Sequence, residues 1–309
     1  MSKKTITVNN TIRQPVSRKI FNVFNVLFMC ALVVVMIFPY INILAKAFNN
    51  ADDTAMGGIT VYPRVFTWKN FETVVSDTAF PRAALVSVIK TVLGALIAVS
   101  VQFLAAYAFQ HKDLYGKKGL LMFLMIPAYF GGGLIPCYIY FSNTGVLNNW
   151  ALYLLPSAFS LYNMIIIRSY MDTLPASLSE AACLDGASEF QIFSRVTLPL
   201  CKPILATVAL WSAVGHWSDY STTMYYFTDK KKFTLQYLLY QVLKETEKIE
   251  KMMQEALMRG DALIGLEQAV SPESVRCAQI IVTTVPIVIC YPFLQKYFIQ
   301  GVTLGAVKD

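Results

Sequence analysis

The chain has 309 residues, of which 56% are hydrophobic and 15% charged, and its mean hydropathy is positive. That balance lies far from the soluble globular norm and identifies a membrane protein. The net charge of +7 does not point to nucleic acid, because the Lys and Arg are split among the loops and form no interleaved basic and aromatic surface.

Taken in chain order, six apolar runs approach the roughly 20 residues that cross a bilayer as a helix. They are Phe21 to Ala45, Ala83 to Phe109, Leu120 to Phe141, Leu147 to Ile167, Ile204 to Phe227 and Cys277 to Ile299. The expected fold class is an all-α polytopic membrane protein with about six transmembrane helices. The expected organisation is a tail at 1–20, a membrane domain at 21–299 and a tail at 300–309. The membrane domain includes a polar loop at 172–203 and an outer loop at 228–274. The first run lacks a small-residue cleavage pattern after it and reads as a retained span.

Lys3, Lys4, Arg13, Arg18 and Lys19 precede that span with no acid among them, which places the N-terminus in the cytoplasm. Six spans return the C-terminus there, and the loop with Lys112, Lys117 and Lys118 falls on the same side. Lys230, Lys231 and Lys232 fall on the outer side against the rule, which binds long loops weakly. Six cysteines lie in or beside spans without metal spacing and read as inert thiols.

The first outer loop, 49–81, reads as an irregular cap. Gly131, Gly132 and Gly133 inside the third run favour close helix packing or a local break, with packing preferred. Lys90, inside the second run, is expected to snorkel toward headgroups, and His111 reads as an interfacial residue. In the last outer loop, apolar residues recur at helical spacing from Leu235 through Leu238, Leu239, Val242, Ile249, Met252, Met253 and Ala256, with Gly260 as the expected stop. Glu247 and Lys251 add an i,i+4 pair.

The stretch "EAACLDGASEFQIFSRVTLPL" is unlike its apolar surroundings. Pro175 suits a first helical turn, and Ser177 with Glu180 has capping-box spacing. Gly186 is suited to the positive φ that ends a helix, and Ser188 with Gln191 offers a second capping box. Pro199 and Pro203 punctuate the exit into the fifth span. The spacing predicts helix, sharp turn, helix. Small residues at Ala181, Ala182 and Gly186, beside the charge of Glu180, suit either a docking knob or an amphipathic turn at the lipid interface.

The pattern Glu180-Ala181-Ala182, then Gly186, then Val196-x-Leu198-Pro199 resembles the EAA motif of ABC importer permeases, in which Ile is usual where Val196 stands. "FGGGLIP", "LPSAFSLYNMIIIRSYM", "VGHWSDY", "YPFLQKYF" and "GVTLGAVKD" extend the resemblance to carbohydrate-uptake permeases of the maltose-permease second-subunit type, in the LplC-like branch. It covers nearly everything from the first span to the C-terminus. The resemblance implies a type I importer fold in a bacterial cytoplasmic membrane. It implies a second permease subunit, two ATPase subunits that carry ATP and Mg, and an extracytoplasmic sugar-binding protein. Glu180, Ala181, Ala182, Asp185, Gly186, Leu198 and Pro199 then become the ATPase-coupling residues. No cofactor is expected on this chain, which lacks a G-x-x-x-x-G-K-[ST] loop, and no catalytic or metal role is expected.

Trp217, Asp219 and Tyr220 within "GHWSDY" suit a carbohydrate path, since sugars pair aromatic faces with flanking hydrogen-bond groups. The alternative is an interfacial aromatic belt with Asp219 anchoring a helix end. In this branch Asn usually stands where Ser218 is. Two other readings are weaker: an ion-coupled secondary transporter, for which no paired broken repeats are visible, and a membrane enzyme, for which no span offers an acid/base or metal set. An ABC permease for peptides or amino acids differs only in substrate.

Overall fold

The computed structural model describes residues 15–111, 113–259 and 273–306. Lys3, Lys4, Arg13, Lys112 and the expected helix stop Gly260 lie outside them, as do the side chains of Ile249, Met252, Met253 and Ala256. Among the described residues the chain is helical, with one isolated bridge between Asn49 and Phe66.

Helix α1, Val16–Ala47, and α4, Ala79–Gln110, are each long and apolar enough to span a membrane unaided. Between them lie α2, Ala51–Ala55, and α3, Lys69–Ser76. This connecting segment is knitted by asparagines. Asn70 Nδ2 donates to the carbonyls of Ala47 and Asn49 at 2.8 and 2.7 Å, and its Oδ1 accepts from Ser274 at 3.1 Å. Lys46 and Glu273 close the same corner at 2.7 Å. The cap is therefore anchored to both the first and last membrane helices, because buried backbone carbonyls left by irregular chain must find donors.

The third run is not one helix. It divides into α5, Lys117–Tyr129, and α6, Leu134–Asn143, bent by 109°. Gly133 has φ +81°, and a Cβ at any of Gly131, Gly132 or Gly133 would meet nothing within 4 Å. The glycine run thus serves as a break, not as a close-packing face within this chain, which corrects the preferred expectation.

The fourth run holds α7, Ala151–Leu154, and α8, Leu161–Met171. The polar loop forms α9, Ala176–Leu184, and α10, Glu189–Leu200, which contains a π-helical stretch at Ile192–Thr197. The fifth run begins as α11, Lys202–Ser218, bent by 76° from α10. It breaks at Asp219 and Tyr220 and resumes as α12, Ser221–Tyr226. Helix α13, Leu235–Arg259, follows in the segment between the fifth and last runs, where Glu247 pairs with Lys244 at 2.7 Å and Lys251 at 3.0 Å. These bonds, the one from Lys244 foremost, hold the Glu247 carboxyl below its ordinary range. Helix α14, Glu273–Ala306, covers the last run.

Helix α4 is the centre of the packing and makes its broadest contact with α11. Ser87, Lys90, Gly94, Ala98 and Gln102 are all buried, and spacings of three and four place them along one face of α4. Where they meet α11, Gly94 lies directly against the ring of His216.

Candidate functional site

The loop at 172–203 folds as the expected helical hairpin, with one difference. Pro175 caps α9 from outside the helix and no side chain bonds there, so the expected Ser177/Glu180 box is absent. The turn closes in a Schellman arrangement: Ala187 N donates to the Ala182 carbonyl and Gly186 N to that of Cys183, both at 3.0 Å. Gly186 sits at φ +79°, left-handed backbone that a Cβ disfavours. The second helix opens with the Ser188/Gln191 box: Ser188 N donates to Gln191 Oε1 at 2.9 Å, and Gln191 N to Ser188 Oγ at 3.4 Å.

Glu180, Ala181, Asp185, Gly186, Leu198 and Pro199 are exposed, and Ala182 is half-buried. Sequence reasoning missed Leu184 and Phe190. They are 90% and 74% exposed, apolar side chains flanking the turn and available to a partner surface. Their signal was present as two large hydrophobics on either side of Asp185-Gly186.

The hairpin is anchored firmly from beneath. Phe193 packs on Phe103 and Tyr107 of α4, with ring centroids 4.9 and 5.0 Å apart. Tyr107 Oη donates to Glu189 at 2.9 Å, and His111 Nε2 lies 3.8 Å from the same carboxylate. One buried cluster joins Cys201 with Ile204 and Val208 of α11, Phe103 and Ala106 of α4, and Met164, Ile167 and Met171 of α8, and Phe193 of the hairpin packs against it. The hairpin is therefore continuous with three helices, α4, α8 and α11, through close-packed side chains.

At the far end of α11 the three residues singled out in "GHWSDY" separate. Trp217 is 6% exposed, and its indole N–H donates to the Thr283 carbonyl of α14 at 3.0 Å. Tyr220 stacks on Tyr240 of α13 at 4.7 Å. Asp219 alone lines a cavity of about 350 Å³ formed by α4, α7, the 155–160 segment, α8, α11 and α12. Lys90 does not snorkel, as expected from sequence, but is 1% exposed and bonds Asp219 Oδ2 at 2.7 Å and the Asp219 carbonyl at 3.1 Å. Its ammonium also lies 4.8 Å from the Tyr153 ring centroid. The correction has a simple cause: a break in α11 places a carboxylate and a free carbonyl within reach, so pairing replaces escape to water.

The cavity wall includes Gln102, Ser157, Ser160, Asn163, Trp211 and Ser212, none of which the sequence reading singled out. Ser157, Ser160 and Asn163 recur every third residue, a polar stripe in an apolar run that could have revealed them. Trp211 carried no such signal, being one aromatic in the middle of a hydrophobic helix.

Residues 7–304 match the family described as binding-protein-dependent transport system inner membrane component. Protein LplC of Bacillus subtilis (strain 168) is 33% identical over 97% of this chain and 98% of its own length. From the same organism, the polygalacturonan/rhamnogalacturonan transport system permease protein YtcP is 30% identical over 93% and 96%. Among solved structures, a bacterial ABC transporter involved in the import of the acidic polysaccharide alginate has a chain that matches with a TM-score of 0.81 and 26% identity. That match covers 93% of this chain and all of that one. The chain belongs to the family of inner membrane components of binding-protein-dependent transport systems.

Proposed function

We propose that this permease passes a sugar or oligosaccharide inward by alternating access and that the hairpin at 180–199 is where separate ATPase subunits engage it. The observation that carries the reading is the buried cluster joining the hairpin to α4, α8 and α11, the helices that also line the polar cavity. A partner gripping Glu180, Ala181, Leu184 and Phe190 would move α10. The bend at Cys201 passes that motion into α11, and Lys90 ties the opposite end of α11 to α4. Closure of the ATPases then becomes a change in which side the cavity faces.

In this reading a second permease subunit completes the pathway and an extracytoplasmic binding protein delivers the sugar. ATP and Mg reside on the two ATPase chains, and lipid surrounds the almost wholly exposed apolar surface of α1. Both termini face the cytoplasm, as the basic N-terminal segment favours. The sugar class is supported by the relatives named for glycan transport. The test is uptake of a panel of labelled glycans, amino acids and peptides into proteoliposomes holding the full assembly. ATP-dependent accumulation of at least one glycan is expected. Accumulation of peptides or amino acids with no glycan taken up would overturn the substrate assignment.

A further inference from the structure

The charge balance of the cavity restricts what can occupy it. Among the described residues no Lys or Arg side chain lines the wall, and its single carboxylate is Asp219. That carboxylate is fully engaged: Oδ2 accepts from Lys90 at 2.7 Å, and Oδ1 accepts from Ser221 Oγ at 2.9 Å and Thr222 N at 3.0 Å. Lys90 itself is enclosed and has its own partners. What the wall offers a ligand is hydroxyl and amide chemistry from Ser157, Ser212 and Asn163 and the imidazole of His216, beside the indole of Trp211, a residue 38% exposed.

Two further observations point to an occupant. Gln102 is 1% exposed, belongs to the wall, and its Oε1 has no hydrogen-bond partner; buried acceptors are satisfied in the great majority of native sites. The Tyr162 ring, 68% exposed, lies 6.4 Å from that of Trp211. This places a second aromatic surface beside the cavity. The volume of about 350 Å³ falls in the range of roughly 300–1,000 Å³ usual for small-molecule sites.

We propose that the cavity is a subsite for one unit of a neutral saccharide, with Trp211 as its stacking surface and Gln102 and Asn163 as hydroxyl partners. A pyranose presents an apolar C–H face and a rim of hydroxyls, which fits an aromatic plate flanked by uncharged donors and acceptors. A uronate unit does not fit. Its carboxylate would lose water without meeting a free Lys or Arg, since Lys90 is already paired with Asp219, so charge is disfavoured. The inference rests on the sugar-importer reading and narrows it.

The test uses the complete assembly in proteoliposomes with matched neutral and uronate oligosaccharides. Neutral oligosaccharides are expected to be taken up and to compete with one another, with oligogalacturonate competing weakly. Trp211→Ala is expected to raise the KM for the neutral substrate roughly tenfold, equivalent to about 1.4 kcal/mol; Trp211→Phe, which retains a ring, restores most of it. Uptake of oligogalacturonate with neutral sugars ignored would overturn the inference and leave the importer reading intact. A Trp211→Ala assembly with unchanged KM would also overturn it. Uptake of neither class would instead refute the sugar-importer reading.

Discussion

Removing one member of the Lys90–Asp219 pair should be more damaging from one side than from the other. In Asp219→Asn the ammonium stays behind at 1% exposure without its counter-charge, with only neutral acceptors, the backbone carbonyl and the amide oxygen, and the face of Tyr153 beside it. Stranding a buried charge in this way costs about 3–5 kcal/mol. In Lys90→Met the buried cation itself is gone. The carboxylate left behind is 25% exposed and keeps its bonds from Ser221 and Thr222. The loss is then nearer that of one charged hydrogen bond, about 1.5–3 kcal/mol. The double variant Lys90→Met/Asp219→Asn removes the stranded charge and should be more stable than Asp219→Asn alone, with a coupling of about 1–3 kcal/mol. Unfolding free energies of the purified full chain and the three variants, from detergent titration in mixed micelles, measure all these differences. Equal costs for the two single variants, or a strictly additive double variant, would refute the assignment of the pair as a buried, mutually dependent unit.

Three other perturbations follow from the packing. In Gly94→Ala the new Cβ would clash with the ring of His216, so the same titration should show a loss of about 1–3 kcal/mol from overpacking, partly recovered in Gly94→Ala/His216→Ala. Gly186→Val meets no neighbour within 4 Å, so its cost is the left-handed backbone itself, about 1–2 kcal/mol; with Glu180→Lys, it should lower binding-protein-stimulated ATP hydrolysis of the assembly while the chain remains inserted. Ser188→Ala removes one half of the capping box and should cost about 1 kcal/mol locally, read as faster amide exchange at Gln191 and its neighbours.

The parts of the fold that rest on local chemistry were legible in the sequence. The hairpin was readable because Gly186, Ser188 and Gln191 each specify backbone geometry by residue type, and all three act as expected. The apolar runs were readable because hydropathy sums over about 20 residues. Breaks within them were harder, since hydropathy is blind to direction: α5 stops at Tyr129 and α6 starts after Gly133, and α11 stops before Asp219, inside runs whose summed hydropathy reads as continuous. The roles of Lys90 and Trp217 lay furthest from view. Their partners, Asp219 and Thr283, are 129 and 66 residues away, and only the packing of α4, α11 and α14 brings them together. Trp217 was placed beside a sugar path for its residue type, yet its N–H is used to hold two membrane helices together, and the exposed indole beside the cavity belongs to Trp211.

The proposed function requires this chain to move its substrate only as part of an ATP-driven assembly. The most direct measurement is the initial rate of glycan uptake into two sets of proteoliposomes, one with this chain alone under an imposed proton or sodium gradient and one with the full assembly and ATP. The account predicts uptake in the second set alone, abolished when ATP is replaced by a non-hydrolysable analogue. Gradient-driven uptake by the isolated chain would contradict it.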